Sequence, residues 1–139
     1  MNETTILRLH GRTIRSGCAE GIALVSPSPI GFLGGVDPDS GVVIEPGHPL
    51  QGQSVAGRVL VFPTGKGSTV GSYTILRLQS SGQAPVAIIN QESEAIVAVG
   101  AIIADIPMVD QIDITRIASG DRVRVEDGAV TIWPAGSVR

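Results

Sequence analysis

The chain has 139 residues, enough for one compact unit that hides roughly two thirds of its unfolded surface. Its net charge of −3 and pI of about 5.2 lack the basic footprint of a nucleic-acid binder, and no apolar stretch approaches the roughly 18 residues of a membrane span. Eighteen glycines and nine prolines beside a hydrophobic fraction of 42% point to a loop-rich but folded β-containing domain, not to disorder.

Ile6 to Arg15 mixes apolar and polar side chains in loose alternation and reads as a first strand. Ser16 to Glu20 leads into a second, the apolar run Gly21 to Val25. Ser26-Pro27-Ser28-Pro29 ends regular pairing, because proline donates no backbone hydrogen bond. A long loop follows through Phe32-Leu33-Gly34-Gly35-Val36 and the turn-forming Asp37-Pro38-Asp39-Ser40-Gly41, and Val42 to Ile44 reads as a short strand. Gly57 to Pro63 carries a continuous apolar run and predicts a buried strand. Next come the glycine turn Thr64-Gly65-Lys66-Gly67-Ser68-Thr69 and a helix over Val70 to Leu78, opened by a serine or threonine cap.

The pattern continues with a strand over Pro85 to Ile89, a helix over Glu94 to Ala104 and a short strand over Ile106 to Val109. Asp121 to Glu126 and Ala129 to Trp133 flank Asp127-Gly128, a favoured two-residue hairpin turn. Strands and helices alternating in the centre, between β segments at both ends, predict one mixed α/β domain over residues 1–139.

Few residues carry chemistry. Cys18 is the one cysteine, so neither a disulfide nor an all-cysteine cluster forms within the chain, and it reads as a small buried hydrophobe. Met1-Asn2-Glu3-Thr4-Thr5 lacks the basic-then-apolar form of a secretion signal, so a cytoplasmic location is expected. His48 in Pro-Gly-His-Pro reads as a surface turn residue. Asp37, Asp39 and Glu45 have no calcium-loop spacing and read as turn residues, and Glu92 and Glu94 read as helix-capping acids.

The glycine turn is the informative segment. It is no phosphate loop, because Gly67 separates Lys66 from Ser68, and no dinucleotide fingerprint, because Val70 stands where a glycine is needed. Backbone N–H groups, a helix N-terminus and the Lys66 ammonium nevertheless converge there and favour an anion such as carboxylate or phosphate. Ser68 has two readings, a helix cap or a hydroxyl whose alkoxide is stabilised for proton transfer.

Phe32-Leu33-Gly34-Gly35-Val36-Asp37-Pro38, Gly65-Lys66-Gly67-Ser68-Thr69-Val70-Gly71-Ser72-Tyr73 and Ile96-Val97-Ala98-Val99-Gly100-Ala101-Ile102-Ile103-Ala104 together resemble the small subunit of the aconitase X family, from about Gly11 to Trp133. Within it, the Gly-Lys-Gly-Ser-Thr-Val-Gly-Ser-Tyr version is similar to the archaeal-type phosphomevalonate dehydratases rather than to the serine-rich loop of the hydroxyproline dehydratases. The resemblance implies a swivelling β/β/α domain, with a mixed sheet or partly open barrel and flanking helices, like the mobile domain of aconitase. It implies a separate large subunit that carries an iron–sulfur cluster, of the 4Fe-4S type, with none bound by this chain alone. The implied reaction is dehydration of (R)-mevalonate 5-phosphate to trans-anhydromevalonate 5-phosphate in a modified mevalonate route, at a site for a small anionic substrate completed between the subunits.

Ser68 matches the family's catalytic serine and would accept the proton. Gly34, Gly35, Lys66, Gly67 and Thr69 are the expected substrate-side residues, with a tight turn as the structural alternative for the two adjacent glycines. The competing expectations are the small subunit of a cis-3-hydroxy-L-proline dehydratase and a non-catalytic interaction domain on the same scaffold.

Overall fold

The structure, a computed structural model, describes residues 6–135. Eight strands form one sheet: β1 (Leu7–His10), β2 (Arg12–Arg15), β3 (Cys18–Val25), β4 (Val59–Phe62), β5 (Ala87–Asn90), β6 (Met108–Asp110), β7 (Arg122–Glu126) and β8 (Ala129–Trp133). Their order across the sheet is β1-β8-β7-β3-β4-β5-β6-β2. β3 to β6 run parallel, and the strands on either side pair antiparallel.

The two outermost strands, β1 and β2, are consecutive in the chain and separated only by Gly11, so the sheet curls until it is nearly a closed barrel. Gly11 donates its N–H to Gly128 O (2.9 Å), and a Cβ at Gly11 would stand 2.1 Å from Asp110 O. No side chain fits at that seam. The single early strand expected over Ile6 to Arg15 is therefore broken at Gly11, which redirects the chain from β8 to β6.

The second early strand starts sooner than expected: Cys18 to Glu20 already pair with β7. Val42 and Val43 make only isolated bridges, to Ser54 and Val36, in place of a strand. The terminal hairpin forms as expected, with Asp127 as its left-handed residue (φ 54°). Gly128 is needed for closeness, since a Cβ there would meet Gly11 O at 2.9 Å.

Alternation along the strands divides the apolar side chains between two cores. Val59, Val61, Ile89, Val109, Val123, Val125, Val130 and Ile132 fill the barrel. Leu24, Leu60, Phe62, Ile88 and Met108 point outward beneath α1 (Gly71–Ser80) and α2 (Ala95–Ile103), where Ile75, Leu78, Val97 and Ala101 cover them. β4 and β5 are thus buried on both faces, which explains their unbroken apolar sequence. β7 has water on one face and alternates.

The helices touch at Gly100, where a Cβ would lie 2.6 Å from Ile75 Cδ1. Among the described residues no helix is long and apolar enough to cross a membrane.

Candidate active site

In an open parallel sheet, ligands gather beyond the carboxyl ends of the strands, where backbone groups and helix N-termini are left over. Here the segments that leave β3 and β4 stay side by side past the strands: Ile30 N donates to Thr64 O (3.3 Å) and Lys66 N donates to Ile30 O (3.1 Å). The chain's two phenylalanines fasten this arrangement. Phe32 packs edge-on to Phe62 at the end of β4, with ring centroids 6.1 Å apart and both rings buried. The Gly34-Gly35 loop is thereby tied to the Lys66-Ser68 loop, whose partners in sequence lie about thirty residues away.

The two glycines have different reasons. Gly34 is left-handed (φ 77°) with open space around it, whereas a Cβ at Gly35 would fall 1.9 Å from Gly31 O. A tight turn accounts for both.

Ser68 is exposed, and its Oγ accepts a hydrogen bond from Val70 N–H (3.2 Å). It is not the helix cap: α1 begins at Gly71, and its N-cap position, Val70, has no side-chain cap. No serine or threonine caps α1, in contrast to the expectation from the sequence. Gly67, left-handed at φ 97°, bends the loop so that Ser68 makes a local turn just ahead of the helix, which starts at Gly71. α1 also lacks an acidic residue in its first turn that would offset its positive end. α2 differs, because Glu94 caps it by accepting from Ile96 N (2.8 Å) and Val97 N (3.4 Å). Thr69 lies beside Ser68 and, with Ser72, Ala95, Ile96 and Val99, lines an open and mostly apolar recess of about 220 Å³ between the helix starts.

Lys66 Nζ bonds Glu45 Oε2 at 2.9 Å, both side chains being partly exposed. The fold thus brings Gly35, Lys66, Gly67, Ser68 and Thr69 into one loop cluster and adds Glu45. Glu45 is separated from its expected turn companions: Asp37 accepts from Asp39 N (3.1 Å) and Ser40 Oγ (2.9 Å), bonds that hold its carboxyl below the usual range. No local motif announces Glu45.

His48 is 7% exposed, not a surface residue: Nδ1 accepts from Leu50 N (3.0 Å), and Nε2 donates to Pro29 O (3.0 Å). Cys18 is exposed rather than buried, at the start of β3 and the opposite end of that strand from the loops. Among the described residues no three His, Cys, Asp or Glu side chains converge as a metal site. This donor set does not fit an iron–sulfur cluster held by the chain alone.

Large apolar side chains of the same segments face solvent, namely Leu33, Ile44, Val70, Tyr73 and Val99, of which Tyr73 is 62% exposed.

A family model described as the aconitase X swivel domain matches residues 8–132. The phosphomevalonate dehydratase small subunit of Thermococcus onnurineus is 56% identical over 128 residues, which cover 91% of this chain and 98% of that protein. The protein of the same name from Methanosarcina acetivorans is 57% identical over 137 residues, 94% of this chain and 95% of that one. A crystal structure of Thermococcus kodakaraensis aconitase X in its holo-form superposes with a TM-score of 0.90 at 52% identity, covering 92% of this chain and 99% of that one. The chain belongs to the aconitase X swivel-domain family.

Proposed function

We propose that this chain is the small subunit of a phosphomevalonate dehydratase, a hydro-lyase converting (R)-mevalonate 5-phosphate to trans-anhydromevalonate 5-phosphate, and that Ser68 is its proton acceptor. Relatives bearing that name match nearly end to end at 54–57% identity. The observation that carries the residue assignment is an exposed hydroxyl whose oxygen accepts from Val70 N–H, ahead of a helix whose N-cap residue makes no side-chain cap bond.

To take a proton from carbon, the Ser68 oxygen must be stabilised as an anion. The Val70 N–H already points at it, the positive end of α1 lies next to it, and Lys66 contributes a cation from the same loop. Ser68 then accepts the proton from the carbon adjacent to the one bearing the departing hydroxyl, and the electron pair becomes the new double bond. Release of that proton to solvent resets the serine. Lys66, Gly67 and Thr69 are assigned to the substrate anion, with Gly34 and Gly35 shaping the wall beside them.

Departure of the hydroxyl falls to a large subunit, which in this reading also holds the iron–sulfur cluster. The exposed apolar side chains beside the loops support docking of such a partner, with the substrate enclosed between the two chains in the cytoplasm. The test is turnover of (R)-mevalonate 5-phosphate and, separately, of cis-3-hydroxy-L-proline, followed by NMR, with this chain alone, its anaerobically prepared large subunit alone, and the two chains together. Product only from the pair supports the reading. Product only from cis-3-hydroxy-L-proline reassigns the substrate, and silence on both from a cluster-loaded complex refutes a catalytic role.

A further inference from the structure

We infer that Glu45 is a resident counter-ion for Lys66, displaced by the substrate anion, and that it thereby selects ligands by charge. The inference deepens the proposed function and rests on Lys66 facing the substrate.

Both partners are anchored at the backbone, Lys66 by its N–H to Ile30 O (3.1 Å), and meet through their side chains. Glu45 belongs to a turn pinned at several points: Ile44 N donates to Gly35 O (2.8 Å), His48 N donates to Glu45 O (3.2 Å), and the buried His48 ring ties the turn to Pro29 and Leu50. Lys66 is a flexible stem laid across Gly31, where a Cβ would come within 3.3 Å of its Cγ. Among the described residues, Glu45 is the only side chain that pairs with the Lys66 ammonium. Both backbones are therefore fixed, and separating the pair takes only side-chain rotation.

The pair is also weak enough to exchange. The side chains are 48% and 30% exposed, and ion pairs open to water contribute little net stability. An anion drawn to the loop must compete with Glu45 for one cation. A phosphate monoester, carrying nearly two negative charges, competes well. A zwitterion of zero net charge competes poorly. Glu45 thus sets a minimum charge for occupying the site.

The chain has one lysine, so selective ¹³Cε-lysine labelling yields a single side-chain signal that reports on this pair. Inorganic phosphate is titrated into the full chain, as wild type, Glu45→Gln and Glu45→Ala. The Lys66 signal should differ between wild type and both variants before phosphate is added and should shift on addition. Half-saturation should fall roughly two- to fivefold in the variants, the range expected for an exposed pair. In the reconstituted enzyme, KM for phosphomevalonate should fall by a similar factor.

A Lys66 signal indifferent to Glu45 or to phosphate, or a half-saturation that stays level or rises in the variants, overturns the inference. A rise in KM with a fall in kcat would make Glu45 a support for Lys66 instead. Because the titration needs no turnover, failure of the dehydratase assignment leaves its outcome readable.

Discussion

Val70 donates its backbone N–H to Ser68 Oγ across 3.2 Å, and this bond bends the chain just before the first turn of α1. The relationship separates two roles that one serine can have at such a place. A cap that ties down an orphan helical N–H supports stability by about 0.5–2 kcal/mol. Ser68 instead stabilises a local turn on an exposed loop, so Ser68→Ala should change stability by no more than about 0.5 kcal/mol. Chemical denaturation of the isolated chain checks this, and a loss above 1 kcal/mol or so would return Ser68 to a structural role.

Lys66 has its ammonium on Glu45 and no buried surroundings to lose. Lys66→Met should leave the fold intact, raise KM for the phosphorylated substrate about tenfold or more and lower kcat as well, because the cation both binds the substrate anion and helps stabilise the Ser68 oxygen as an anion. Steady-state kinetics on the reconstituted pair decides the point. An unchanged KM would assign the side chain to solvent.

Phe32 and Phe62 join the glycine-rich loop to the end of β4. Phe32→Ala removes a buried ring and should cost about 3–5 kcal/mol, while Phe32→Leu keeps most of the apolar burial and should cost markedly less. The loop that Phe32 holds also abuts the Ser68 segment, so the alanine variant should lose turnover at temperatures where it remains folded. Thermal unfolding and activity measured side by side test both parts.

Asp110 is fully buried at the seam of the barrel, where Arg12 donates to it from Nε (3.0 Å) and Nη2 (2.7 Å) and Ser93 N donates at 3.1 Å. Burial alone would raise its carboxyl, but the bonds from Arg12 and Ser93 outweigh that and hold it below the ordinary value of 3.8. A carboxyl lowered in the folded state stabilises the protein above its unfolded value, and that contribution disappears as pH falls through the folded value. Stability should therefore decline as pH drops from about 3.8 downward. Asp110→Asn should be less stable at neutral pH and should show a flatter acid limb in urea titrations at a series of pH values.

Much of the central α/β pattern was legible because its cause is local. Continuous apolar runs marked β4 and β5, Asp127-Gly128 marked the hairpin, and Glu94 before an apolar stretch marked the start of α2. The Gly65 to Tyr73 segment, with two others, carried the resemblance to a family that named the fold. What escaped depends on distant partners. Gly11 breaks its strand because Asp110 O and Gly128 O approach from the other side of the barrel. His48 is buried because Pro29 O waits nineteen residues earlier. Glu45 meets Lys66 only after the loop past β3 folds back on the loop past β4, so no spacing along the chain could pair them.

The central claim is that Ser68 performs the proton transfer. The measurement that addresses it most directly is the initial rate of trans-anhydromevalonate 5-phosphate formation by the reconstituted two-subunit enzyme carrying Ser68→Ala, with subunit association checked on the same sample. Removing a positioned general base should lower kcat by about 10²–10⁴-fold while the complex remains assembled. An assembled complex that turns over within a few-fold of wild type would contradict the account.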